Sequence, residues 1–185
     1  MMTEISLNVL DIAENSTRAG AGLVEIDVHA DPEADRLVIR VADDGCGMTP
    51  EQVSQVTDPF FTTRKTRRIG LGVPFFKQAA ELTGGSFSIS SEVGRGTTVT
   101  AEFVLSSIDR APLGDMEETM RTLITCHTET DFLYTYTYGD KSFTLDTREM
   151  RELLGDVPFD APEISDFILA YLRENRAEAD NGIAY

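Results

Sequence analysis

Three separated blocks of this chain carry side chains suited to one kind of chemistry. The first is Asp11-Ile12-Ala13-Glu14-Asn15-Ser16, which spaces a carboxylate and an amide along one stretch. The second is Asp43-Asp44-Gly45-Cys46-Gly47-Met48, an acidic pair followed by two glycines. The third is Gly70-Leu71-Gly72, with Gly96-Thr97-Thr98-Val99 further on. A carboxylate such as Asp43 can accept a proton from an exocyclic amine, and nearby glycines let backbone approach a flat ring. An amide oxygen such as that of Asn15 can ligate Mg2+ among phosphate oxygens and waters. Free backbone amides where a glycine loop opens a helix favour phosphate. Asp11 can accept a proton from an attacking water or hydroxyl. Together the blocks supply what a site for ATP needs. Read alone, each has a plainer meaning: an Asp-Gly turn at Asp43, a solvated Asn15, an exposed helix carboxylate at Asp11.

These residues need elements to position them. Residues 4–19 read as a helix. At about 100° per residue, Asn8, Asp11, Glu14, Asn15 and Arg18 share one face, and Ile5, Val9, Ile12, Ala13 and Ser16 the other. Residues 23–29 and 36–42 alternate as strands around the turn Asp31-Pro32-Glu33-Ala34-Asp35. Thr49 and Pro50 open a short helix. A loop over residues 58–72 holds Arg64, Lys65, Arg67 and Arg68, four cations in five residues. They fit triphosphate charge, an acidic partner or plain solvation. A helix over residues 73–82 and strands over 86–90 and 97–105 follow. The order predicts an antiparallel sheet with helices on one face.

The motifs resemble those of the GHKL superfamily of ATPases and kinases, which includes DNA gyrase, heat-shock chaperone ATPases, MutL and histidine kinases. Asp11 to Ala21 resembles the N box, closest in wording to MutL. Asp43 to Met48 resembles the G1 box, Asp58-Pro59-Phe60-Phe61-Thr62-Thr63 the histidine-kinase F box, Gly70 to Gly72 the G2 box, and Gly96-Thr97 the closing strand. The resemblance covers residues 4–105. It implies an α/β (α+β) two-layer sandwich, helices on a mixed sheet, with ATP and Mg2+ held between helices and a lid over residues 62–72. It implies that Asp43, helped by Thr97, reads adenine and that Asn15 holds Mg2+. Arg18, Gly45, Gly47, Met48, Phe61, Thr62, Thr63, Gly70, Leu71 and Gly72 complete the implied nucleotide contacts. Asp11 stands where gyrase- and MutL-like ATPases carry a glutamate base and where histidine kinases carry asparagine. It keeps the carboxylate with one methylene less reach. Arg18 stands where histidine kinases often carry lysine.

Organisation along the chain is expected to be an ATP-binding domain at 1–106, a linker at 107–114, a small α/β domain at 115–176 and a flexible tail at 177–185. A capping pair, Asp160 and Glu163, opens the last helix. Phe132, Tyr134, Tyr136 and Tyr138 line one face of a strand and read as a small aromatic core. No phosphoacceptor domain is expected before the ATP domain. His29, in a strand, and His127, at a helix end, read as structural rather than as phosphoacceptors. The resemblance therefore implies an ATP-dependent kinase or ATPase acting on a separate protein partner, with a non-catalytic nucleotide-gated binding module, either an anti-sigma-factor-like regulator or a MutL-like homodimer clamp, as the alternative.

Composition excludes several classes. The net charge is −16, of which −6 falls in residues 1–106 and −10 in residues 107–185. That excess argues against nucleic-acid binding, which needs a basic face. No stretch of eighteen apolar residues suggests a membrane span, and no leader is evident, so cytoplasm is the expected compartment. Cys46 and Cys126 make neither a disulfide framework nor a metal cluster.

Overall fold

A computed structural model describes residues 3–57 and 72–183. Among them, α1 (Ile5–Arg18) is followed by β1 (Leu23–Asp31), β2 (Arg36–Asp43), α2 (Pro50–Val56), α3 (Gly72–Leu82), β3 (Ser86–Glu92) and β4 (Gly96–Val104). Then come α4 (Met116–Cys126), β5 (Asp131–Tyr138), β6 (Lys141–Asp146), α5 (Thr147–Leu154) and α6 (Pro162–Asp180). The elements from α1 to β4 fall where hydrophobic period and cap residues put them. Thr49 accepts from the Gln52 amide while the Gln52 side chain returns to the Thr49 amide, a full capping box on α2.

The six strands form one sheet in the order β3-β4-β2-β1-β5-β6. Alternation buries one face: Val24, Ile26 and Val28 of β1, Leu37, Ile39 and Val41 of β2, and Val99, Ala101 and Phe103 of β4. Helices cover that face in a single two-layer core with Ile5, Val9, Phe76, Met120 and Leu172. Each of the large side chains contributes about 1.5–3 kcal/mol by leaving water. The opposite face is polar, where Arg40 pairs with Glu25 and Asp27. His29 is exposed there rather than built into the core.

The sheet is mixed rather than antiparallel throughout. β5 runs parallel to β1, with Val24, Ile26 and Val28 opposite Phe132, Tyr134 and Tyr136. The C-terminal strands therefore extend the same sheet, and their aromatic residues join the same core. This differs from the small separate domain expected at 115–176. The reason is physical: β1 would otherwise be an open edge, and an alternating Phe-Tyr-Tyr strand matches its buried face in register.

The expected linker is also part of the frame. The carbonyls of Pro112 and Leu113 accept from the Ile5 and Ser6 amides, and so satisfy the first donors of α1. Asp160 does not cap α6. Ala161 is the N-cap, without a side-chain bond. Nor does the chain fray from residue 177. α6 continues to Asp180, which is fully buried. Arg176 donates to both oxygens of Glu117 at 3.0 and 2.9 Å and to Asp180 at 3.1 Å. Tyr136 donates to Asp180 at 2.7 Å.

One guanidinium thus serves two buried carboxylates. Burial pushes the Glu117 carboxyl above its ordinary value of 4.5, against the opposing pull of Arg176. Burial works to lower the Arg176 guanidinium, but Glu117, Tyr136 and Asp180 outweigh it and hold it above its usual range. The folded protein therefore binds the Glu117 proton more tightly than the unfolded chain does. That contribution to stability is full below the unfolded value and is lost as pH rises through the folded one. Urea unfolding of wild type and Glu117→Gln should show the difference moving in favour of wild type as pH falls toward the ordinary carboxyl value of 4.5. A constant difference would contradict the assignment.

Candidate nucleotide site

α1 is clamped along its length. Its first amides bond the 112–113 segment, its Ile5, Val9, Ile12 and Ala13 edge is buried, and it packs against α3 and α4. The polar face that remains is aimed over the ends of β2 and β4. Asp43 closes β2 opposite Thr97 of β4. Its Oδ1 accepts from the Gly45 amide at 2.9 Å and the Thr97 amide at 3.3 Å. Its Oδ2 accepts from the Ser16 hydroxyl at 2.6 Å. An ionised carboxylate offers about four acceptor positions, so one more donor can be taken. Asp44 turns the other way and accepts from the Gly22 and Leu23 amides, tying the end of β2 to the start of β1.

These residues border a cleft of about 290 Å3. Asn15, Ser16 and Arg18 come from α1, Asp43 from β2, Met48 from the following turn, and Thr97 and Val99 from β4. Val41, Val56, Val73 and Ile89 make its apolar lining. Apolar walls with a few converging polar groups suit a purine. Gly47 has φ +65°, and a Cβ there would lie 2.0 Å from the Glu92 carbonyl oxygen. Only glycine lets this turn meet the β3–β4 hairpin, which also donates from the Gly94 amide to the Cys46 carbonyl.

Asp43 and Asn15, 28 positions apart in sequence, thus face one cleft. Met48, Gly47, Arg18 and Thr97 line it too. Gly45 contributes through its amide. Asp11 is not among the lining residues. Its carboxylate lies against the first residue of α3, where a Cβ on Gly72 would come within 2.1 Å of Oδ2. The helix N-terminus there favours a negative charge. Phe61, Thr62, Thr63, Gly70 and Leu71, together with Arg64, Lys65, Arg67 and Arg68, lie outside the described residues.

Asn15 presents a neutral oxygen, which accepts from Arg18 Nη1 at 3.3 Å, while Arg18 Nη2 bonds Glu14 at 2.5 Å. No group of three or more His, Cys, Asp or Glu residues that could hold a metal occurs among the described residues. A cation here fits only if phosphates and water supply most of its shell. Cys46 and Cys126 are free and exposed.

Two side chains that support the cleft carry no mark in the sequence. Ser16 counts as a core-facing position, yet its hydroxyl orients Asp43. Ser91 accepts from the Met48 amide at 2.8 Å and sits 2.9 Å from the Thr97 hydroxyl. It braces the far wall, and no local pattern marks it.

Comparison with known proteins agrees with this geometry. Residues 1–107 match the family model of histidine kinase-, DNA gyrase B- and HSP90-like ATPases. The chain belongs to that family. It is 33% identical over 102 residues to the sensor protein SrrB of Staphylococcus aureus (strain NCTC 8325 / PS 47), covering 52% of this chain and 17% of that protein. The chain spans about a sixth of the length of the curated relatives it matches, 16–17%. The MutL ATPase domain of Aquifex aeolicus, solved with ADP, superposes with a TM-score of 0.50 at 14% identity, covering 96% of this chain and 98% of that one. The N-terminal domain of a DNA repair protein gives 0.56 at 13% identity, over 78% and 53%. At these identities the likeness is one of fold. No described helix is long and apolar enough to cross a membrane.

Ser16→Ala removes one of three donors to Asp43. Calorimetry should show adenine-nucleotide affinity falling about fivefold, the worth of a hydrogen bond of about 1 kcal/mol, with the fold intact. Unchanged affinity would mean that the two backbone amides orient Asp43 unaided.

Proposed function

We propose that this protein binds ATP with Mg2+ and passes the terminal phosphoryl group to a separate protein partner, or to water on that partner's behalf. The observation that carries this reading is the convergence of Asp43 and Asn15 on one cleft. Asp43, held by Ser16, Gly45 and Thr97, has an acceptor position left for the exocyclic amine of adenine. Asn15 gives its oxygen to the phosphate-bound metal once Arg18 turns from it toward phosphate. Asp11 takes the proton of the incoming hydroxyl. ATP supplies the phosphoryl group and Mg2+ spreads its charge. A cytoplasmic setting, with Arg64, Lys65, Arg67 and Arg68 compensating phosphate charge, belongs to the same reading.

A second reading is favoured by the position of Asp11 against Gly72, outside the lining of the cleft. In it, nucleotide only gates engagement of a partner or of a second copy of the chain. The two readings separate cleanly with labelled ATP and Mg2+, with and without cell extract. Turnover predicts labelled protein or phosphate release in wild type, a loss of about 100-fold or more in Asp11→Asn with binding retained, and lost binding in Asp43→Asn. Gating alone predicts ATP-dependent capture of a partner that survives Asp11→Asn. No label and no release above the Asp11→Asn control would refute phosphoryl transfer.

A further inference from the structure

Asp43, Thr97 and Ser91 form one row across three neighbouring strands. Thr97 of β4 is the register partner of Asp43 on β2 and of Ser91 on β3. Side chains of directly opposed residues stand on the same face of a sheet. Here Asp43 and Thr97 border the cleft, and Ser91 stands behind Thr97, outside the lining. The Ser91 hydroxyl has one proton to give and two lone pairs to fill. Its proton goes to the Gly96 carbonyl at 3.0 Å. One lone pair accepts from the Met48 amide at 2.8 Å. The Thr97 hydroxyl lies 2.9 Å away, and the role left for it is to donate to the second lone pair.

We infer that Ser91 is a positioning residue for base selection: it takes up the Thr97 proton, so that Thr97 meets the cleft as an acceptor. The inference rests on the reading of the cleft as an adenine-nucleotide site and adds a requirement to it. The polar edge of the cleft then holds two neighbouring acceptors, the Asp43 carboxylate and the Thr97 oxygen. A base satisfies both only by bringing two N–H donors. A primary amine does so from one nitrogen, whereas a ring nitrogen in need of a donor gains nothing from Thr97. Met48 in the turn after β2 and Gly96 at the start of β4 hold Ser91 in turn, so the direction of the Thr97 proton is set before a ligand arrives. Without Ser91, Thr97 would be free to turn its proton into the cleft.

The test is calorimetric titration of the full chain, with Mg2+, using three ligands. They are ATP, its analogue with one methyl on the 6-amino group, and 1-deaza-ATP, which keeps the amine but lacks the ring nitrogen beside it. On wild type the methylated analogue should bind about tenfold more weakly than ATP, and 1-deaza-ATP within about twofold of ATP. Repeating the first comparison on Ser91→Ala closes a cycle in which the steric cost of the methyl cancels. In that variant Thr97 can donate to the ring nitrogen, and the methylated analogue regains a bond. The preference for ATP should therefore fall about fivefold in Ser91→Ala and return in Ser91→Thr, which keeps the hydroxyl. A purely structural brace would weaken both ligands alike. Should Ser91→Ala fail to fold, the two comparisons on wild type decide. Equal binding of ATP and the methylated analogue, 1-deaza-ATP at least about fivefold weaker than ATP on wild type, or a preference unchanged in Ser91→Ala would each overturn the inference while leaving ATP binding intact. No binding of ATP would overturn the reading of the cleft, and this inference with it.

Discussion

The Asp43 carboxylate holds three parts of the fold at one point. Ser16 reaches it from α1, Gly45 from the turn after β2, and Thr97 from β4. Those three donors come from positions 16, 45 and 97 and are buried or half-buried, so an acceptor between them offsets the cost of taking them out of water, although the Ser16 hydroxyl also reaches the Ile12 carbonyl at 3.4 Å. The same atoms that close this junction leave one acceptor position facing the cleft. In the proposed reading, structural satisfaction and nucleotide recognition would draw on one side chain, whose orientation three hydrogen bonds fix before any ligand arrives.

The rest of the molecule serves to fix α1 over that point. The carbonyls of Pro112 and Leu113 hold its first turn, α3 and α4 flank it, and its apolar edge sits on β1 and β2. The C-terminal segment takes part in this directly. β5 closes the open side of β1, and α4 carries Met116, Met120 and Leu123 into the common core. The buried cluster of Glu117, Arg176, Asp180 and Tyr136 then pins the end of α6 to α4 and β5. Charges in a buried cluster of this kind lose much of their attraction to desolvation, which the hydrogen bonds of Arg176 to Glu117 and Asp180 offset.

Much of this was legible in the residues. Asp43, Asn15 and Thr97 were readable because acid-glycine turns, mid-helix amides and glycine-threonine strands are local patterns, and their order along the chain is fixed by topology. The strands from β1 to β4 followed from alternation, and the start of α2 from Thr49 and Pro50. What stayed hidden depends on distance in sequence. Ser16 faces the core by helical period, and only the fold reveals that a carboxylate 27 positions later meets it. Asn8 falls on the polar face of α1 by helical period, yet it is buried, and its own helix says nothing of the α3 and 109–111 residues beside it. The parallel pairing of β1 with β5 spans more than a hundred residues, and no local signal encodes it. The last turns of α6 looked frayed because Arg176, Glu178, Asp180 and Asn181 are polar, whereas Arg176 bonds Glu117 of α4 and Asp180 accepts from Tyr136 of β5.

In the proposed function, the free acceptor position on Asp43 selects the purine. Guanine presents a carbonyl oxygen where adenine presents an amine, so it would set acceptor against acceptor in a cleft walled by valines and Ile89. Calorimetric titration of the unmodified protein with ATP and with GTP, each with Mg2+, is the most direct measurement. Saturable binding of ATP with GTP at least about 100-fold weaker is the predicted result. Equal affinity for the two, or no binding of either, would contradict it.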